Sequence, residues 1–201
     1  MRPRQSALTD ISPGNLRKLA FTRELLSLAQ AFECGEEEWE TEVADWIKAP
    51  QEGAADAVEE NDCAVWLYRT PDRELVGYAS LGLSHNPWNI PGYGRARIAI
   101  IPFLGVSTQF QGQPKGVDRL DRFAAQIMRD LIAEALHLDG RGLPILGLMV
   151  DYRNEKAINF YERLGFVALD ARDGSRRYVR MIVRLPATIE PEQAESSSDP
   201  R

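Results

Sequence analysis

No apolar run in this chain approaches the roughly 20 residues that a bilayer-spanning helix requires. Its first ten residues, MRPRQSALTD, hold no hydrophobic stretch of the kind that marks a secretory leader. A membrane partner is therefore not expected, and a cytoplasmic location is. Cysteine is nearly missing: Cys34 and Cys63 are the only two, with no CxxC spacing and no clustered histidine. That excludes a disulfide framework and leaves no metal site to expect. Basic residues are outnumbered, 24 against 30 acids, for a formal net charge of -6. Such a balance makes a polyanionic nucleic acid a disfavoured partner.

What is present is the balance of a soluble globular protein, 44% hydrophobic and 27% charged residues. A chain of 201 residues fits one α/β domain with a real core. That domain is expected over residues 1–185. The remaining 186–201, polar and bearing proline, are expected to be a disordered tail. The charge is uneven: from Glu33 to Asp62 there are 12 acids and the single base Lys48. An acidic lobe beside a mildly basic body can draw a cationic substrate to one side and an anionic cofactor to the other. A solvated helix face is the plainer reading of the same run.

The periodicity predicts a short first strand at Leu8–Ile11, a helix over Asn15–Phe32 and a second over Glu36–Ile47, stopped by Pro50. Ala64–Arg69 and Leu75–Leu83 read as an antiparallel hairpin turned by Thr70-Pro71-Asp72. Ser84–Gly94, crowded with Pro, Gly and Asn, reads as a loop. Arg95–Val106 reads as a long strand interrupted by Pro102. A proline cannot donate to a sheet ladder, so the strand should bulge or lose a partner there. A helix over Val117–Leu138, a strand over Leu143–Val150, a helix over Asn154–Leu164 and strands at Phe166–Leu169 and Tyr178–Leu185 complete the order.

Two stretches carry chemistry. LGVSTQFQGQPKG, Leu104 to Gly116, runs from a strand through a turn of small and polar residues toward a helix N-terminus, where free N–H groups and partial positive charge suit a phosphate. VDYRNEKAINFYERLGF, Val150 to Phe166, places Asn154 and Tyr161 on one helical face, two turns apart.

These stretches resemble the two signature segments of the GNAT acetyltransferases. Gln111 and Gly116 fall on the first and last places of that family's acyl-CoA loop. Asn154, Ala157, Phe160, Tyr161, Glu162, Gly165 and Phe166 fill almost every place of its N-x-x-A-x-x-F/Y-Y-E-x-x-GF block. The loop departs from the pattern at Pro114, which stands where the family has glycine and supplies no N–H. The resemblance extends over about residues 64–185. It implies an α/β fold of the α+β type: a mixed, mostly antiparallel sheet, helices on both faces and a splayed central strand pair.

It also implies an acetyl-CoA-dependent N-acyltransferase in which an amine attacks the thioester directly. The cofactor-binding positions would be Leu104, Val106, Gln111, Gly112, Gln113, Lys115, Gly116, Val117, Asn154 and Tyr161, with charge added by Arg119. Val106 would offer main-chain groups to the pantetheine arm and the thioester oxygen, and Tyr161 would protonate the departing thiolate.

No Glu or Asp lies between Arg95 and Val106, where the family often places a base. His85 is the catalytic substitute by titration range and Asp151 by position, the latter equally a helix cap. His137, at a helix end, reads as structural. Trp39, Trp46, Trp88 and Phe21 are candidates to line the acceptor site. The acidic lobe favours a small cationic amine such as a polyamine or an aminoglycoside over a protein amine. A member acylating aminoacyl-tRNA would need a basic face, which the sequence does not offer. A non-catalytic acyl-CoA sensor is the alternative, and a different phosphate ligand at the loop ranks lower because the Gly-Lys-Ser/Thr and GxGxxG patterns are missing. The oligomeric state stays open, a homodimer included.

Overall fold

The computed structural model describes residues 16–114, 122–138 and 144–185. The expected strand Leu8–Ile11 and the expected tail lie outside the described residues. One mixed sheet organises the chain. Its strands are β1 (Arg17–Ala20), β2 (Cys63–Arg69), β3 (Leu75–Leu83), β6 (Ala99–Ile101), β8 (Ile145–Asp151), β10 (Tyr178–Arg184) and β9 (Val167–Ala168), side by side in that order. A further strand, β7 (Leu104–Val106), pairs with β3 alone. All pairings are antiparallel except β6 with β8. A separate hairpin joins β4 (Trp88–Ile90) to β5 (Gly94–Ala96).

Helices cover both faces, as the expected fold requires. On one side α4 (Phe123–His137) and α5 (Glu155–Arg163) bury Phe123, Ile127, Met128, Leu131, Ile158 and Tyr161 against Val76, Leu146, Leu148 and Val150. On the other, α1 (Leu26–Ala29), α2 (Glu38–Lys48) and α3 (Ala54–Glu59) pack Phe32, Ala44 and Ile47 onto Val65, Leu67 and Tyr78. The β4–β5 hairpin closes the rest of that face through Trp88, Ile90 and Ile98. Local chemistry accounts for the helix ends. A capping box between Glu37 and Glu40 opens α2, and Gly165 at φ +89 follows α5.

Three expectations need correction. The first helix does not span Asn15–Phe32: Arg17–Ala20 is an edge strand on Trp66–Arg69, and only a 3-10 turn and the single turn α1 remain helical. Pairing decides it, since Lys18 on this strand also bonds Asp130 and Glu134 of α4 and lies over the Trp66 ring. The expected loop Ser84–Gly94 contains β4 and the start of β5, because Trp88 and Ile90 find an apolar cluster made by distant strands. The long strand Arg95–Val106 is three strands.

The third break positions the site. β3 pairs Gly82 with Ile100 on β6 and Ala79 with Leu104 on β7, so β3 advances three residues while its partner advances four. The extra residue is a bulge at Pro102. Ser80, fully buried, pins it: its hydroxyl accepts from Phe103 N–H at 2.9 Å and donates to Phe103 O at 3.1 Å. The β6–β8 ladder ends at Ile101 and Leu148, and β7 leaves β8.

Candidate active site

The strands part where the proline stops the ladder, and what they expose follows from register. Ser80 N–H reaches Phe103 O, and Ser107 N–H reaches Val76 O. Those are bonded pairs of an antiparallel ladder, so the intervening pairs Ala79↔Leu104 and Gly77↔Val106 are non-bonded ones. The N–H and C=O groups of Leu104 and Val106 therefore point away from β3, toward the gap that β8 has vacated.

Two cavities meet at this gap. The larger, about 620 Å³, is lined by β7, the loop after it, the start of α4 and one face of α5; Leu104, Val106, Gln111, Gly112, Asn154 and Tyr161 all border it. The smaller, about 290 Å³, lies among α2, the bulge and the ends of β8 and β10. Leu104, Asn154, Ala157 and Tyr161 belong to both, as do Trp39 and Val43 of α2.

Helix α5 delivers three of these shared residues from one stripe. Asn154 caps it, its Oδ1 accepting from Ala157 N–H at 3.0 Å, which leaves the side-chain amide N–H groups to face a ligand. Tyr161 is 8% exposed, its ring edge-on to Phe160 and Phe166 at centroid distances of 5.2 and 5.7 Å. Among the described residues its hydroxyl makes no hydrogen bond. Burial pushes that phenol up to about 12, so it is fully protonated at neutral pH.

The loop wall behaves differently from expectation at one place. The Gln111 side chain is spent on structure: its amide donates to Cys34 O and Val106 O and its oxygen accepts from Lys156 Nζ at 2.7 Å. Gln113 does not border the cavity; its carbonyl accepts from Phe123 N–H at the start of α4. Gly112, at φ +72, turns the chain there. Lys115, Gly116, Val117 and Arg119 lie outside the described residues.

Arg122, which the sequence reading passed over, precedes α4, borders the large cavity and carries a buried Nε without a partner among the described residues. An unpaired buried guanidinium N–H is costly unless a ligand meets it. Ala124 and Ala125 line the cavity beside it, ahead of the first bond of the α4 ladder, Gln126 N–H to Arg122 O. This corner fits an anion, through a cation, a helix N-terminus and its leading amides. The signal for Arg122 was only a cation at the head of an apolar helical stripe, and such residues are common.

Other expected residues sit elsewhere. His85 is exposed after β3 and lines neither cavity. Asp151 borders the smaller cavity, but Arg153 and Arg177 bond its carboxylate and, against the cost of burial, hold it down to about 2. A carboxylate so held is a poor proton acceptor near neutrality. Cys34 borders the larger cavity, and burial, with the Glu40 charge adding, pushes its thiol up to about 12, which leaves it a weak nucleophile. Of the four aromatic candidates only Trp39 reaches a cavity. Trp46 stacks on Phe103 at 4.2 Å, and Phe21 and Trp88 are core. Much of the acidic lobe is also committed: Arg23 holds Asp56 and Glu59, while Arg153 and Arg177 hold Glu38 and Glu42.

Comparison with known proteins points the same way. The sequence model of the acetyltransferase (GNAT) family matches residues 23–166. No curated protein matches the chain. Among solved structures, AtaTR bound with AcCoA superposes at a TM-score of 0.59 with 20% identity, covering 85% of this chain and 94% of that one. AtaT complexed with acetyl-methionyl-tRNAfMet also gives 0.59, with 19% identity over 84% and 94%. The spermidine/spermine N-acetyltransferase SpeG from Vibrio cholerae gives 0.53, with 18% identity over 86% and 94%.

Proposed function

The chain belongs to the acetyltransferase (GNAT) family, and from that premise we propose that it transfers an acetyl group from acetyl-CoA to a primary amine by direct attack, a small cationic amine being the preferred acceptor. One observation carries the reading. The main-chain groups of Leu104 and Val106 are turned into a gap between strands, and Tyr161 stands where the two cavities join. The larger cavity takes the cosubstrate: Arg122 and the start of α4 receive its pyrophosphate, β7 its pantetheine arm, and the Asn154 amide steadies that arm. An N–H of β7 holds the thioester oxygen as negative charge develops on it. The amine enters from the smaller cavity and forms a C–N bond to the acetyl carbon. The C–S bond breaks, the Tyr161 hydroxyl donates to the leaving sulfur, and the proton that the new amide nitrogen sheds passes to solvent, from which the phenol is restored. The inert Cys34 thiol supports direct attack over an acyl-enzyme.

The acceptor class is the open term, since AtaT is solved with an acetylated tRNA and SpeG is named for polyamines. A small amine is supported here by the size of the second cavity and by Glu42, Asp151 and Tyr178 in its wall. The test is titration calorimetry with acetyl-CoA followed by thiol release across a panel of amines, a peptide N-terminus and an aminoacyl-tRNA. The reading expects binding, and thiol release that needs a small amine. Binding without thiol release for any acceptor makes the protein an acyl-CoA sensor. Absence of binding overturns the proposal.

A further inference from the structure

The smaller cavity has a charge state that narrows its occupant. Arg153 bonds Asp151 at 2.8 Å and Glu38 at 3.0 Å. Arg177 bonds Glu42 at 2.7 Å, Glu38 at 3.3 Å and Asp151 at 3.5 Å. Three carboxylates thus share two guanidiniums, and one negative charge is left over among the described residues. The surplus does not sit on Asp151, whose side chain is fully buried and bonded by both arginines. It falls to the α2 carboxylates, of which Glu42 is the one that lines the cavity.

Glu42 is half exposed and set in place from two sides, by Arg177 and by the Tyr178 hydroxyl, which donates to it at 3.0 Å. Each carboxylate oxygen still has acceptor capacity after those bonds. Much of the remaining wall is apolar, with Trp39, Val43, Phe103 and Met149, and Asn154 and Tyr161 are its other polar residues. Met149 is 54% exposed and borders the same cavity.

We propose that this cavity is an acceptor subsite for a monocationic primary amine on a compact apolar body: Glu42 receives the ammonium, which gives one proton up to solvent before the neutral nitrogen attacks, and the Trp39–Met149 walls receive the body. One positive charge completes the local balance. A polyamine brings two or three more into a pocket whose other carboxylate, Asp151, is already held by two arginines. The inference rests on the acetyl-transfer reading and narrows the small cationic amine that the sequence suggested to a monoamine, against the polyamine example.

The experiment compares phenethylamine, hexylamine and spermidine as acceptors by thiol release, in the full chain and in Glu42→Gln, with acetyl-CoA calorimetry on both proteins. The expected result is a kcat/KM for the two monoamines at least about tenfold above spermidine. Glu42→Gln should raise the monoamine KM by about tenfold and leave acetyl-CoA affinity unchanged, which also reports that the variant is folded. Preference for spermidine, or an unaltered amine KM in Glu42→Gln, overturns this inference alone. No thiol release with these three amines overturns this inference, and the acetyl-transfer reading falls with it when a peptide N-terminus and an aminoacyl-tRNA release no thiol either.

Discussion

Replacing Tyr161 by Phe removes one oxygen and leaves the ring in place between Phe160 and Phe166. Two consequences separate cleanly because the hydroxyl has no hydrogen-bond partner among the described residues. The fold loses no bond, so the melting temperature should stay within about 2 °C of the parent. Turnover loses its proton donor. The size of that loss follows from the phenol's acidity: burial pushes Tyr161 up to about 12, whereas a free thiol titrates near about 8.5. A full proton transfer even to the fully formed thiolate is therefore uphill by roughly 5 kcal/mol, so donation has to follow the sulfur charge as it grows. That places the effect at the low end of general-acid catalysis, about 100-fold in kcat, or roughly 2.7 kcal/mol of barrier. Acetyl-CoA affinity should hold within about threefold, since the ring contacts remain. The assay is thiol release at saturating acceptor, with calorimetry for affinity and a thermal melt for stability. A kcat within about threefold of the parent removes Tyr161 from the chemistry, and a tenfold loss of acetyl-CoA affinity makes it a binding residue instead.

Arg122→Met keeps length and apolar packing while removing the unpartnered buried Nε; acetyl-CoA should bind about tenfold more weakly, with the melting temperature unchanged or slightly higher, as calorimetry and melting will report. Asp151 is held at about 2 in the native state against 3.8 ordinarily, so the folded protein binds fewer protons than the unfolded chain between those values. Its contribution, about 2 kcal/mol, is complete above about pH 4 and is lost as pH falls through about 2. Asp151→Asn should therefore melt roughly 4–8 °C below the parent at pH 6 and close to it at pH 2, and a gap that persists in acid refutes the assignment. Gly77→Ala puts a Cβ 2.4 Å from the Gly105 carbonyl oxygen, a backbone atom that cannot step aside. The β3–β7 pairing must shift, at about 1–3 kcal/mol, and acetyl-CoA affinity should fall along with the melting temperature because Leu104 and Val106 move too.

The sequence by itself settled whatever depended on local chemistry. Asn154 and Tyr161 lie two turns apart on one helical face because spacing on a helix is arithmetic. Pro102 marked the break in the ladder because a residue without an N–H cannot continue one. The strands of the β2–β3 hairpin and the apolar stripe of α4 were legible for the same reason, each pattern repeating at the period of its own backbone.

Tertiary structure decided whatever needed a partner from far along the chain. Arg17–Ala20 has a helix-compatible pattern and became a strand because β2 offered an open edge. His85 was the catalytic candidate and Asp151 its alternative until the first stood clear of both cavities and the second was closed in by two arginines. Glu42 was one of twelve acids in a run until α2 was laid across the ends of β8 and β10, and only there did a count of neighbouring charges acquire meaning. Long-range pairing and desolvation depend on which surfaces meet, and no window along the chain contains that information.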